Sequence, residues 1–295
     1  MIELDFIEDN IYNDDMMREL KDIIKFKTSR NNITKIPDTI CNLINLHSLD
    51  LSYNKISTFP EIICNMINLR SLDLTSNMIS TLPERIGCMI NLQELILYDN
   101  NITIIPETIG KMTNLKELVL SSNNIIVIPD AIGKMINLHS LELFDNNITI
   151  IPETIGNMVN LKELILSHNK ITIIPETIGN MINLHSLELS HNKIILIPET
   201  IGNMINLHSL DLSYNMISIL PESIGKMINL HILYLHNNNI SILPISFNNL
   251  IKLQELFLHN NNNIIPSDDW SDHNKHLHKM ITDYIYETSI NVASA

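Results

Sequence analysis

Residues 184–206 read LHSLELSHNKIILIPETIGNMIN, and this stretch decides the fold because the chain repeats it at a constant step of 23 residues. Leu187 and Leu189 alternate with Ser186, Glu188 and Ser190, the period-2 pattern of a short half-buried strand that Leu184 introduces. Asn192 follows where the strand's main-chain groups lose their ladder partners, so its carboxamide is expected to bond the neighbouring main chain. Ile194 and Ile197 return to the core. Pro198 is expected at the first position of a brief helical or 3₁₀ stretch, where a missing N–H costs nothing. Ile201, Met204 and Leu207 then recur at steps of three and bury one stripe. A single unit cannot cover its own inner face, so neighbours must stack, with parallel strands about 4.7 to 4.9 Å apart.

The step holds along almost the whole chain. Asparagine stands at Asn31, Asn54, Asn77, Asn100, Asn123, Asn146, Asn169, Asn192, Asn215, Asn238 and Asn261 without a slip. Proline keeps the same spacing from Pro37 to Pro244, and only Pro266 is one residue out of phase. All seven glycines, Gly87 to Gly225, fall four residues after a proline, a column that Cys41 and Cys64 occupy in the first units. A second asparagine column, Asn45 to Asn229, directly precedes the first leucine of each unit. Glycine and proline therefore punctuate a repeat, and an array of this kind grows by adding units around no single core.

The pattern L-x-x-L-x-L-x-x-N-x-I followed by x-x-I-P-x-x-I-G resembles the leucine-rich repeat, and its 23-residue form is similar to the Ras-interacting group of intracellular leucine-rich repeat proteins. The match spans about residues 23–266, with nine full repeats and degenerate ends. The resemblance implies an α/β solenoid: a curved horseshoe with a parallel sheet on its concave face and short helices or 3₁₀ turns on its convex face. It also implies protein binding as the usual activity, without implying Ras, since one scaffold serves unrelated partners. Residues 1–22 are expected to form an N-terminal capping segment, with Asn13 or Asp14 as N-cap and Met17, Leu20 and Ile24 on one face. Ile23, Phe26 and Thr28 stand where leucines would be in a degenerate first repeat. Residues 267–295 are expected to carry a second cap, with Leu277, Met280, Ile281, Tyr284 and Ile285 at helical spacing. Caps of this kind close the open ends of an array.

Charge and cysteine usage narrow the setting. The formal net charge is −14, from 33 acidic against 19 basic residues, which argues against a nucleic-acid binder that must displace counterions with clustered Lys and Arg. A partner with a basic patch suits it better. No apolar run reaches membrane-spanning length, the first residues lack the basic and apolar regions of a signal peptide, and the three cysteines lie inside repeats. A cytoplasmic protein without membrane insertion is expected, and the four sequons at Asn32, Asn101, Asn147 and Asn239 read as by-products of an Asn- and Thr-rich repeat.

Specificity must lie in the strand positions that are not leucine. The central column runs Asp50, Asp73, Ile96, Val119, Glu142, Ile165, Glu188, Asp211, Tyr234 and Phe257. Asp50 beside Asp73, and Glu188 beside Asp211, place like charges on adjacent strands, which a basic partner would relieve. Towards the end the surface becomes aromatic, with Tyr214, Tyr234 and Phe257 accompanied by His236 and His259, the residue types that dominate interface hot spots. The expected partner-binding residues on the concave face are therefore Asp50, Asp73, Glu142, Glu188, Asp211, Tyr214, Tyr234, His236 and Phe257. Asn54, Asn77, Asn100, Asn123, Asn146, Asn169, Asn192, Asn215 and Asn238 are assigned to a structural ladder.

A second column, two residues before each proline, changes from Thr58 and Thr81 to Ile104, Val127, Ile150, Ile173, Leu196, Ile219 and Ile242. Exposed, these side chains would form an apolar edge suited to oligomerisation; tucked under the turn they are core, which is the simpler expectation. Histidines form columns too, at His47, His139, His185, His208 and His231 and at His168 and His191, with His273, His276 and His278 near the end. Repeat duplication explains them more simply than a metal site, which needs three or four convergent and supported ligands. No phosphate-binding loop, H-E-x-x-H helix or C-x-x-C pair occurs, and the flanks are too short for a catalytic domain. No cofactor is expected. The expected function is a non-enzymatic interaction scaffold of signalling type, or alternatively an adaptor recruiting substrates for a modifying enzyme such as a ubiquitin ligase.

Overall fold

The computed structural model of the protein describes residues 2, 3, 22–262, 264, 277, 279 and 281. The chain divides into two compact units, Met1–Asn147 and Ile148–Ala295. In the first, strands β1 (Ile2–Glu3), β2 (Lys25–Lys27), β3 (Ser48–Asp50), β4 (Ser71–Asp73), β5 (Glu94–Ile96), β6 (Glu117–Val119) and β7 (Ser140–Glu142) pair in chain order and all in parallel. In the second, β8 (Glu163–Ile165), β9 (Ser186–Glu188), β10 (Ser209–Asp211), β11 (Ile232–Tyr234) and β12 (Glu255–Phe257) do the same. From β2 onward each register described is a shift of one repeat, so Leu187 lies opposite Leu210 and Leu210 opposite Leu233, while Ile2 pairs with Phe26 one residue further on. Five-residue 3₁₀ turns such as Asp130–Lys134 in the first unit and Glu199–Asn203 in the second return the chain. Their three-residue period is why apolar positions at steps of three reach the core: Ile201 and Met204 are fully buried.

The strands are short because the chain bends sharply after them. The residue before each ladder asparagine has a left-handed backbone, among them Tyr53 (φ 55°) and Ser76 (φ 51°) in the first unit and His191 and Tyr214 (both φ 53°) in the second. A non-glycine residue there costs about 1–2 kcal/mol, so something must hold it. The following asparagine does. Asn192 Nδ2 donates to the carbonyls of Leu166 at 3.0 Å, Leu189 at 3.1 Å and Ser190 at 3.2 Å, while its Oδ1 accepts from Ile171 N–H at 2.9 Å. Asn77 has the same set in the first unit, with Leu51, Leu74, Thr75 and the N–H of Ile56. Each carboxamide thus ties two rungs of main chain together.

The prolines occupy a different position from the one expected at the helix start. Pro198 precedes the 3₁₀ turn as its N-cap, with φ −69° and an extended ψ of 148°. It stiffens the approach to the turn without entering it, since its ring fixes φ. Ile23, Phe26 and Thr28 are buried as the degenerate first rung requires, but Ile24 is exposed and leads into β2. Asn13, Asp14, Met17 and Leu20 of the expected N-terminal helix lie outside the described residues, as do Met280, Tyr284 and Ile285 of the other cap. Leu277 and Ile281 are helical and buried.

Candidate functional site

On the strand face of the second unit the pairing of β9, β10, β11 and β12 sets Glu188 beside Asp211, Asp211 beside Tyr234 and Tyr234 beside Phe257. Inward positions of these strands are leucine, so the alternating outward positions are what solvent meets. The Tyr234 and Phe257 rings stack with centroids 4.8 Å apart and 17° between planes. His236 and His259, two residues past the ends of β11 and β12, stack at 4.3 Å. The left-handed bends carry a third run: His168 on His191 at 4.0 Å, His191 on Tyr214 at 3.9 Å, and Tyr214 edge-on to His236 at 5.3 Å. His236 also meets Tyr234 edge-on at 6.2 Å, which joins the runs into one surface from His168 to Phe257. Phe257 remains 37% exposed, so it is a face residue and not a covered one.

Carboxylates interrupt this aromatic surface. Ser213 donates to Asp211 Oδ1 through its hydroxyl at 2.6 Å and its N–H at 2.9 Å, which fixes the carboxylate and leaves Oδ2 without a partner among the described residues. Burial raises the pKa of Glu188 above the usual carboxylate value, and the like charges of Asp211 and Glu163 add to it. Burial likewise lowers His191 and His236, helped by His168 and His259 respectively, so both favour the neutral ring. The Tyr234 hydroxyl is raised by burial, then by Glu255, Asp211 and Glu188. Three carboxylates, Glu188, Asp211 and Glu255, thus act on the Tyr234 ring at the centre of this surface. The Nδ1 atom of His236 is shielded without a hydrogen-bond partner.

The remaining candidates lie in the first unit. Asp50 and Asp73 are adjacent on β3 and β4. Their like-charge contact is met within the chain: Lys27 Nζ approaches Asp50 Oδ2 at 3.7 Å, and Ser52 and Thr75 donate to Asp50 and Asp73. The Lys27 side chain is half exposed, so this pair contributes little. Val119 between Ile96 and Glu142 is 7% exposed, so the central column is closed there. The nine residues expected to share one face thus divide, with Glu188, Asp211, Tyr214, Tyr234, His236 and Phe257 together in the second unit and Asp50, Asp73 and Glu142 in the first. Reading the central column alone gave too little weight to His168 and His191, because they belong to the bend and not the strand; the signal was their position directly before the ladder asparagine.

The apolar edge is also a correction. In the second unit Ile150, Ile173, Leu196, Ile219 and Ile242 are 62–69% exposed, and Ile104 and Val127 of the first are open to a similar degree. They are not core. The chain is extended here, with a parallel bridge between Ile173 and Leu196, so side chains alternate and Ile105, Ile151 and Ile174 take the buried side. Among the described residues no group of three or more His, Cys, Asp or Glu could hold a metal ion. No helix there is long and apolar enough to cross a membrane.

A family model described as a leucine-rich repeat region matches residues 61–172 and 175–282, and a second leucine-rich repeat model matches residues 27–79. These matches give the repeat family without assigning the Ras-interacting group. No curated protein matches the chain significantly. Among solved structures, a leucine-rich repeat protein of Leptospira interrogans is 31% identical over 90% of this chain and 73% of its own, with a TM-score of 0.73. The ectodomain of a plant membrane receptor kinase from Arabidopsis thaliana, in complex with Casparian strip integrity factor 2, is 29% identical over 82% of this chain and 34% of its own, with a TM-score of 0.69. The Arabidopsis receptor kinase HAESA, in complex with a peptide hormone and a co-receptor, is 28% identical over 81% of this chain and 46% of its own, with the same TM-score of 0.69. This chain spans less than half the length of either receptor.

Proposed function

This chain belongs to the leucine-rich repeat family, and on that premise we propose that it is a non-enzymatic scaffold whose second unit receives a basic segment of a partner protein on its strand face. The observation that carries the reading is the register that puts Glu188 and Asp211 beside the stacked Tyr234 and Phe257. A guanidinium or ammonium group laid over those rings gains their quadrupole attraction and at the same time separates two like charges. The structure of HAESA with a peptide hormone supports a polypeptide ligand. We place the protein in the cytoplasm: Cys41, Cys64 and Cys88 are all free thiols, which suits a reducing compartment, although some relatives are receptor ectodomains.

Capture from cell lysate tests the reading. Asp211→Lys combined with Tyr234→Ala is expected to reduce recovery of the bound proteins at least tenfold, since losing one interface anchor costs about 2 kcal/mol or more; Asp211→Asn with Tyr234→Ala, which keeps the acceptor of buried Ser213, should lose recovery as well while melting near the parent. Recovery of the same proteins in the same amounts by both would sink it. A ubiquitin ligase among the proteins captured would move the assignment to the adaptor reading.

We read the protein as a monomer despite its apolar edge. Sedimentation of the parent and of Ile150→Lys with Ile173→Lys is expected to give the same monomeric mass. A concentration-dependent mass that the double variant abolishes would assign the edge to self-association.

A further inference from the structure

The first unit holds a cleft of about 410 Å³ whose lining has the opposite electrical character to the chain as a whole. Arg70, Gln93 and Lys116 stand one residue before β4, β5 and β6, and Asn68, Asn91, Asn114 and Ile67 complete the wall. No carboxylate lines it, although the chain carries a formal charge of −14. Main-chain bonds hold the row in register, with Gln93 N–H donating to Arg70 O at 2.7 Å and Lys116 N–H to Gln93 O at 2.8 Å. Neither Arg70 nor Lys116 has an ion-pair partner among the described residues, whereas Lys27 meets Asp50 there.

The asparagines are oriented by the fold. Asn68, Asn91 and Asn114 donate through Nδ2 to the carbonyls of Ile44, Ile67 and Ile90 at 2.7, 2.8 and 2.8 Å. Each therefore keeps one N–H and one carboxamide oxygen in reserve. A group that both donates and accepts complements a hydroxyl, which does the same. A guanidinium fork and an ammonium complement a phosphate, whose three terminal oxygens can accept from both and whose charge balances both. Ile67 is the one apolar side chain of the wall, so a hydrophobic ligand would find little surface. The volume lies within the range of small-molecule sites, about 300–1,000 Å³.

We propose that this cleft binds a phosphorylated polyol, with Arg70 and Lys116 holding the phosphate and the carboxamides of Asn91, Gln93 and Asn114 the hydroxyls. The site is separate from the protein-binding surface of the second unit. Titration calorimetry of the full chain at low ionic strength, with glucose 6-phosphate as the probe, tests it. Saturable binding is expected, at least tenfold tighter than for glucose or inorganic phosphate alone. Arg70→Gln and Lys116→Gln should each weaken it roughly tenfold to a hundredfold, the range of one hydrogen bond to a charged group. Both positions are exposed, so melting temperatures should stay near that of the parent. Binding no tighter than inorganic phosphate overturns the proposal, and so does unchanged binding by the folded double variant. Asp211→Lys with Tyr234→Ala should retain the affinity for glucose 6-phosphate, which keeps a failure here distinct from a failure of the protein-binding reading.

Discussion

Asn192→Ala is expected to lower the unfolding free energy by about 3 kcal/mol, because it leaves the buried Ile171 N–H unpaired, which costs about 1–3 kcal/mol, and takes one of two donors from each of three carbonyls that keep Asn169, Asn215 and the His168 N–H. Ile171 loses the acceptor for its N–H, and the carbonyls of Leu166, Leu189 and Ser190 lose a donor. Asn192 is buried, so water replaces those bonds only after the rung opens. The left-handed residue His191 also loses the carboxamide that holds the bend after it. Asn192→Asp, which keeps the shape and the acceptor but sets a carboxylate against three carbonyls, should be at least as costly at neutral pH. Lys193→Ala beside it is exposed and should change stability by no more than about 0.5 kcal/mol. Urea unfolding gives the size of the effect, and faster hydrogen exchange at the Ile171 amide gives its place, which matters because an array can unfold rung by rung. A stability within 0.5 kcal/mol of the parent for Asn192→Ala would show that the carboxamides are dispensable.

Gly110→Ala is expected to cost about 2 kcal/mol, in the range of an overpacked core, although alanine ordinarily gains about 1 kcal/mol over glycine in a helical turn. A Cβ at Gly110 would stand 2.5 Å from the carbonyl oxygen of Ala131 and 2.9 Å from its Cβ on the next rung. The obstacle is backbone, so no rotamer change relieves it and two 3₁₀ turns must move apart. The first rung shows the alternative. Cys41 occupies the same column, and its Sγ reaches the equivalent carbonyl, that of Ile62, at 3.1 Å as a donor, so there the neighbouring turn stands far enough away for a side chain. Denaturant midpoints of the parent and the variant decide the matter, and an alanine variant as stable as the parent would mean that the turns have slack.

The glycine column was legible as a column in the sequence, but not its cause. A spacing of 23 residues states that Gly110 and Ala131 belong to neighbouring units; it does not state how closely their main chains pass. The bends show the same limit. Tyr53, Ser76 and Tyr214 are side chains that rarely adopt positive φ, so nothing local marks them as left-handed; the carboxamide of the next residue and a bond from their own N–H to the next rung hold them there. For the apolar edge, Ile150 and Ile151 are equally hydrophobic neighbours, and alternation in an extended segment requires that one of them face solvent without saying which.

Period, strand parity and turn chemistry are local properties, so the sequence by itself determined the repeat, the inward leucines, the asparagine ladder and the family. Which side chains become neighbours was decided by the tertiary structure. Stacking in parallel register brings residues 23 positions apart to within about 4–5 Å, and this makes His168, His191 and Tyr214 one continuous run and joins Tyr234 to Phe257. The same packing lets Lys27 meet Asp50 inside the chain while Glu188 and Asp211 have no ion-pair partner among the described residues. Burial and lateral proximity set the strength of a charge, and neither exists until the rungs are stacked.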